Sequence, residues 1–371
     1  MEFKDILKMM VEKRASDLFI TCDMPPSIKV DGRMMPVSKT RLSDQQAREL
    51  TYSLMSPEQR DDFQRTKECN FAFSSRGIGR FRVSAFVQRD SVGMVLRRIE
   101  TRIPTFDELG LPEVLTELAM AKRGIVFFVG ATGTGKSTSL AAMLGYRNHN
   151  SSGHIITVED PVEYLHNHAG CIVTQREVGV DTESYEIALH NTLRQAPDVI
   201  LIGEIRTREA MEHAVAFAET GHLVLTTLHA NNANQALERI LHFFPEESRD
   251  QVLLDLSLNL RGIVAQQLIA RPDGNGRRAV LEILLNTPLA ADLIGKGDIS
   301  KLKDLMKRSG EQGMITFDQA LYEAYQRGEI SQQDALHYAD SSNEVRLMIK
   351  LGDTRPGARD RDRNAIGFAV E

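Results

Sequence analysis

Residues 130–137 read Gly-Ala-Thr-Gly-Thr-Gly-Lys-Ser, with Thr138 following. Glycines at the first and sixth places followed by Lys-Ser meet the spacing of a phosphate-wrapping loop. Gly130, Gly133 and Gly135 free the backbone to turn its N–H groups inward, with Ala131, Thr132 and Thr134 adding theirs. The start of a following helix supplies partial positive charge. Lys136 would reach the β- and γ-phosphates, and the Ser137 hydroxyl would face Mg²⁺. An apolar strand over 125–129 and a helix over 139–146 give the loop its required setting. The chain is expected to bind a nucleoside triphosphate, ATP with Mg²⁺.

Hydrolysis needs carboxylates as well. The apolar run 199–202 ends in Gly203-Glu204, and the run 154–158 ends in Glu159-Asp160-Pro161-Val162-Glu163. In an α/β sheet, ligands sit beyond the carboxyl ends of the strands. One carboxylate near the metal and another over the attacking water suffice for phosphoryl transfer. Glu204 is assigned to the metal and Glu163 to the water, an assignment that could be exchanged.

All histidines but His337 fall between His149 and His242. His222 and His229 bracket one strand, roughly 23 Å apart at ~3.3 Å per residue, so they cannot share an ion. His229, at the phosphate end, could sense the γ-phosphate. His166 and His168 lack a third ligand at usable spacing and are expected to be exposed loop residues. Fast cleavage of ATP usually needs a cation on the developing charge, often given in trans. Arg82 and Arg97 lie outside the loop-bearing region and could serve a neighbour's site; pairing with acids on their own surface is an equal expectation.

Stepping outward, residues 1–100 alternate helix and strand signals. Phe3, Ile6, Leu7, Met10 and Val11 form a helical stripe. Ser43 with Gln46, and Ser56 with Pro57 and Gln59, are capping-box helix starts. Phe81, Val83, Ala85 and Val87 alternate with Arg80, Arg82 and Ser84, the mark of a strand. A small α+β module is expected, then a linker over 101–112 (TRIPTFDELGLP). From 113 to 350, strands over 125–129, 154–158, 199–202 and 223–227 alternate with helices over 183–195 and 208–220. This is the pattern of a covered parallel sheet. Residues 249–268 read as helical, with a hairpin across 272–278 and more helices beyond. Residues 351–371, centred on RPGARDRDR, are expected to be a disordered tail.

At 371 residues the chain is long enough for two domains or more. Its net charge of −6 argues against tight nonspecific nucleic-acid binding. No apolar run reaches the ~18 residues of a membrane span, and the first residues do not read as a secretory signal. Cys22, Cys69 and Cys171 contain no Cys-x-x-Cys pair, which fits a reducing compartment.

With those motifs in place, the sequence resembles the type IV pilus retraction ATPases, the twitching-motility branch of the secretion-ATPase superfamily. The likeness runs through ASDLFITCDMPPSIKVDG, RFRVSAFVQ, IPTFDELGLP, GATGTGKST, TVEDPVEYLH, APDVILIGEIR and TGHLVLTTLHANNA, and resumes at TFDQALYEAYQRGEIS. It implies an α/β protein with an N-terminal PAS-like domain, a C-terminal RecA-like ATPase domain and a ring-shaped homohexamer. It implies that Glu159 and Glu163 form an acidic box, Glu204 the Walker B glutamate, His222 and His229 a histidine box. Arg82 and Arg97 match arginines thought to cross a subunit boundary. Implied too are a cytoplasmic place at the inner-membrane pilus base and a platform protein there as partner. Pilus-extension ATPases usually carry paired Cys-x-x-Cys motifs and a longer N-terminal region, neither of which is read here. Principal retraction motors typically show Ala-Ile-Arg-Asn-Leu-Ile-Arg-Glu where this chain has Pro288-Leu-Ala-Ala-Asp-Leu-Ile-Gly-Lys-Gly297. The likeness is therefore greater to the accessory retraction paralogue, with the principal motor as a partner. Gly295 and Gly297 are expected to loosen any helix there. Two competing readings are a RecA-like nucleic-acid translocase and a nucleotide-gated structural partner of the principal motor.

Overall fold

The structure, a computed structural model, describes residues 2–30 and 32–352. Chain contacts divide it into two compact units. One holds residues 2–103 together with 159–167 and 175–188; the other holds 104–158, 168–174 and the rest from 189. Two short stretches from beyond the 101–112 linker thus group with the N-terminal residues.

The first unit opens with helix α1 (Phe3–Glu12), strands β1 (Asp17–Ile20), β2 (Ser27–Val30) and β3 (Arg33–Pro36), and helices α2 (Asp44–Ser53) and α3 (Pro57–Thr66). Strands β4 (Glu68–Ser75), β5 (Gly79–Gln88) and β6 (Ser91–Arg98) complete an antiparallel sheet in the order β3-β2-β1-β6-β5-β4. Both capping boxes form. The Ser43 hydroxyl accepts from Gln46 N, and Gln46 reaches back to Ser43 N; Ser56 and Gln59 repeat the arrangement. Phe81, Val83 and Ala85 point inward, where they meet Leu7 and Met10 of α1 and Phe63 of α3 in one core. β3 and β4 escape the sequence reading: β3 is exposed along its whole length and carries no alternation to detect.

The second unit begins with α4 (Phe106–Leu109) and α5 (Val114–Ala119). Then come β7 (Gly124–Val129), α6 (Lys136–Asn150), β8 (Gly153–Glu159) and β9 (Cys171–Glu177), whose last residues belong with the first unit, as does the first half of α7 (Tyr185–Thr192). β10 (Val199–Ile202), α8 (Arg208–Glu219), β11 (Leu223–Leu228), α9 (Ala233–His242) and α10 (Arg249–Asn259) follow. β12 (Leu260–Ala270), β13 (Arg277–Leu285), α11 (Pro288–Gly295), α12 (Leu302–Arg308), α13 (Phe317–Gln326), α14 (Gln332–His337) and α15 (Ser342–Gly352) complete it. The sheet order is β13-β12-β7-β11-β10-β8-β9. β8, β10, β11, β7 and β12 are parallel neighbours, and β13 returns antiparallel. Every residue of β7, β10 and β11 is buried, as covered parallel strands require.

Two expectations are corrected. Residues 260–268 are strand, not helix. A short apolar run such as 262–265 looks the same in a buried strand and a buried helix, and Gly262 lies so close to β13 that a Cβ would meet Leu284 O at 2.9 Å. The hairpin that follows is as expected, with Arg271 N donating to Gly276 O. α11 forms with Gly295 as its last residue and Gly297 beyond it. Thr287 caps its start, Pro288 occupies its first turn, and Gly297 (φ +73°) ends it. Finally, α15 runs to Gly352, and the remainder of the expected tail lies outside the described residues.

Candidate nucleotide site

The loop leaves β7 at Gly130 and ends where α6 begins at Lys136. Gly130 and Gly135 take positive φ and touch β12: a Cβ on Gly130 would lie 2.6 Å from Gln266 O, and one on Gly135 would lie 2.8 Å from Gln266 Nε2. No side chain fits at either place, so the loop presents backbone. Gln266, 2% exposed, clamps it from beneath: Nε2 donates to Thr134 O at 2.8 Å, and Oε1 accepts from Ser139 Oγ at 2.8 Å. Lys136 Nζ donates to Gly130 O and Ala131 O at 2.7 and 2.9 Å. Burial lowers its pKa, and the nearby Glu204 charge opposes that shift. Ser137 is exposed at the head of the helix.

Strands β10 and β11 run parallel with Ile202 beside Thr226, so the residues just past each end reach the same edge. Glu204 follows β10, and His229 follows β11. Their side chains meet: His229 Nε2 lies 3.1 Å from Glu204 Oε1, and Arg206 binds Oε2 at 2.8 Å. Sequence reasoning missed Arg206 and Gln266. Arg206 lay two residues past Glu204, in plain view; Gln266 was hidden by the helical reading of 249–268. Among the described residues no three His, Cys, Asp or Glu side chains form a metal nest. The oxygens at hand, Ser137 and Glu204, suit a hard cation that arrives with phosphates and keeps its water.

His222, at the other end of β11, instead closes α8: its Nδ1 lies 3.0 Å from Phe217 O and 3.1 Å from Thr220 Oγ1. The strand keeps it apart from His229. His168 is exposed, as expected, and its Nδ1 accepts from Val173 N at 3.0 Å. His166 is not: burial lowers its pKa to about 4, and its Nδ1 is buried without a hydrogen-bond partner.

The remaining candidates lie in the first unit. Glu159 is buried and accepts from Gln175 Nε2 at 3.3 Å, whereas Glu163 is exposed. Arg82 of β5 stands directly opposite Arg97 of β6. Facing like charges repel unless each has an acid to answer it. Arg97 Nε donates to the buried Asp17 at 2.8 Å. Arg82 and Arg80 are attracted by Glu177, a residue the sequence reading passed over. Burial raises the Glu177 pKa despite both arginines and a bond from Val162 N.

If Arg82 completes a neighbour's site, mixing Arg82→Ala with Lys136→Ala subunits should restore part of the ATPase activity each lacks alone. Recovery is read against mixing ratio in rings verified to be mixed. A flat response would leave Arg82 as a surface partner of Glu177.

A buried parallel sheet whose strand runs through a glycine cradle into a helix headed by Lys-Ser defines a P-loop nucleotide-binding protein. The family described as "Type II/IV secretion system protein" matches residues 2–283, and this chain belongs to it, among the type IV pilus ATPases. The type IV pilus ATPase PilU of Pseudomonas aeruginosa is 70% identical over 352 residues, covering 95% of this chain and 92% of that protein. The type IV pilus retraction ATPase PilT of the same organism is 39% identical over 335 residues, covering 90% and 97%. A crystal structure of the pilus retraction motor PilT with bound ADP superposes with a TM-score of 0.88 at 39% identity, covering 94% of this chain and 99% of that one. The Legionella pneumophila ATPase DotB follows at 0.78 and 26% identity, covering 90% and 94%.

Proposed function

We propose that this chain hydrolyses ATP as a subunit of a homohexameric motor for type IV pilus retraction, working as an accessory to the principal retraction ATPase at an inner-membrane platform protein. The observation that carries the reading is the glycine cradle and Lys136 on the same sheet edge as the Glu204–His229–Arg206 cluster. Backbone N–H groups of 130–135 and Lys136 hold the phosphates. Ser137 and Glu204 would hold Mg²⁺, which supplies charge to draw electrons from the γ-phosphate. Glu163, supported by Glu159, takes a proton from the attacking water. His229 couples the state of the γ-phosphate to Glu204, Arg82 and Arg97 act toward a neighbouring subunit, and His222 closes α8 at the far end of β11. The acidic net charge speaks against a nucleic-acid substrate, and among the described residues no helix is long and apolar enough to cross a membrane.

The accessory role rests on α11. Its Ala290 and Ile294 are buried, its Leu289 is exposed, and its Asp292–Lys296 pair is satisfied within the helix. The arginines of the principal motors, able to make directional charge-assisted bonds, have no counterpart here. The protein should therefore hydrolyse ATP alone yet fail to retract pili in cells that lack the principal motor. With a catalytically dead principal motor present, it should restore retraction. Robust twitching from cells carrying this ATPase alone would return it to a self-sufficient motor.

A further inference from the structure

Glu282 of β13 is a carboxylate at 1% exposure, outside the cluster described above. Its Oε1 accepts from Ala233 N at 2.8 Å, and its Oε2 accepts from Phe317 N at 3.3 Å. Those are the first residues of α9 and α13. One side chain thus ties together two helix starts that sequence places far apart. α9 begins four residues after His229, and its cap Asn232 donates to Asp340 at 3.3 Å. Lys303 of α12 binds the same Asp340 at 3.0 Å and lies 3.5 Å from the buried Asp318 of α13. The C-terminal helices therefore reach the turn that carries His229 through Glu282 and Asp340.

We infer that Glu282 is a positioning residue for ATP turnover: it fixes the His229 turn to the C-terminal helices by holding the starts of α9 and α13 on one carboxylate. The role rests on the proposed ATPase reading and deepens it. Both bonds need a full set of acceptor oxygens. A protonated carboxyl turns one oxygen into a donor, and the longer bond, to Phe317 N, is the one it gives up.

Burial holds the Glu282 carboxyl up at about 7. The Ala233 and Phe317 N–H groups and Lys303 pull it down, and Asp340 pushes it up. The tie is then complete above about pH 7 and loosens below it. Stability runs the other way. A folded-state pKa raised above the unfolded value means the folded chain binds the proton more tightly. This group's contribution to stability is full below the unfolded value of 4.5 and fades as pH rises through about 7. A positioning role moves turnover and stability in opposite directions with pH; a merely structural one moves them together.

The test measures kcat, the KM for ATP and melting temperature between about pH 5.5 and 8.5, with amide exchange at Phe317, for the wild type, Glu282→Gln and Glu282→Asp. Wild-type kcat should fall as pH drops through about 7 while KM holds. Glu282→Gln, with one acceptor oxygen in place of two, should lower kcat about tenfold, lose that pH limb and speed exchange at Phe317. Glu282→Asp keeps the charge on a shorter arm, so it should lower kcat and keep the limb; it carries the test should Glu282→Gln not fold. A variant with wild-type kcat, pH limb and Phe317 exchange would overturn the assignment. His229→Ala, run beside them, separates the two readings. If it leaves turnover intact while Glu282→Gln loses it and Phe317 exchanges faster, the His229 role fails and the Glu282 role stands.

Discussion

Lys136→Ala should weaken ATP binding by at least about a hundredfold and leave the fold standing. A hydrogen bond to a charged group contributes roughly 1.5–3 kcal/mol, and Lys136 can give more than one to the β- and γ-phosphates. Each ~1.4 kcal/mol lost is a factor of ten in affinity. Folding suffers less, because removing Lys136 gives up two bonds to Gly130 O and Ala131 O but also removes a half-desolvated ammonium. Titration with a fluorescent nucleotide, beside a melting curve, checks both halves. Binding within a few-fold of wild type would mean that the backbone cradle alone holds the phosphates.

Glu163→Gln and Glu204→Gln should each stop turnover for different reasons, and Mg²⁺ separates them. Loss of a general base costs typically 10²–10⁴-fold in rate, so Glu163→Gln should bind ATP normally and remain slow at any Mg²⁺ concentration. Glu204→Gln removes the charge that Arg206 and His229 now share at 2.8 and 3.1 Å. It should need more Mg²⁺ and recover in part when given it. Rates at rising Mg²⁺ decide the matter. If Glu204→Gln were the variant indifferent to Mg²⁺ and Glu163→Gln the one rescued, the two roles would be reversed.

The loop at 130–137 was legible because its chemistry is compressed into consecutive residues, and the strand and helix beside it announced themselves by pattern. The capping boxes of α2 and α3 were legible for the same reason. Glu204 and His229 could be placed on one sheet edge from strand ends alone, but their direct contact needed the register of β10 against β11. What stayed hidden depends on distant pairings. Gln266 reaches the loop only because β12 lies beside β7, and a short apolar run such as 262–265 does not say which neighbour it will find. Glu282 and Glu177 are lone acids within apolar or mixed stretches. Their significance comes from burial against partners remote in sequence, which no local pattern encodes.

The position of β7 in its sheet bears on how the protein is made. Its two neighbours, β11 and β12, are synthesised about a hundred residues or more after it. Until they leave the ribosome, Gly124–Val129 is an all-apolar strand with both edges unpaired, the kind of segment that seeks other chains. The phosphate loop cannot close onto Gln266 before residue 266 has been translated. A growing chain therefore lacks the clamped loop until β12 has been made. Nucleotide can act as a folding ligand only once β12 has joined β7.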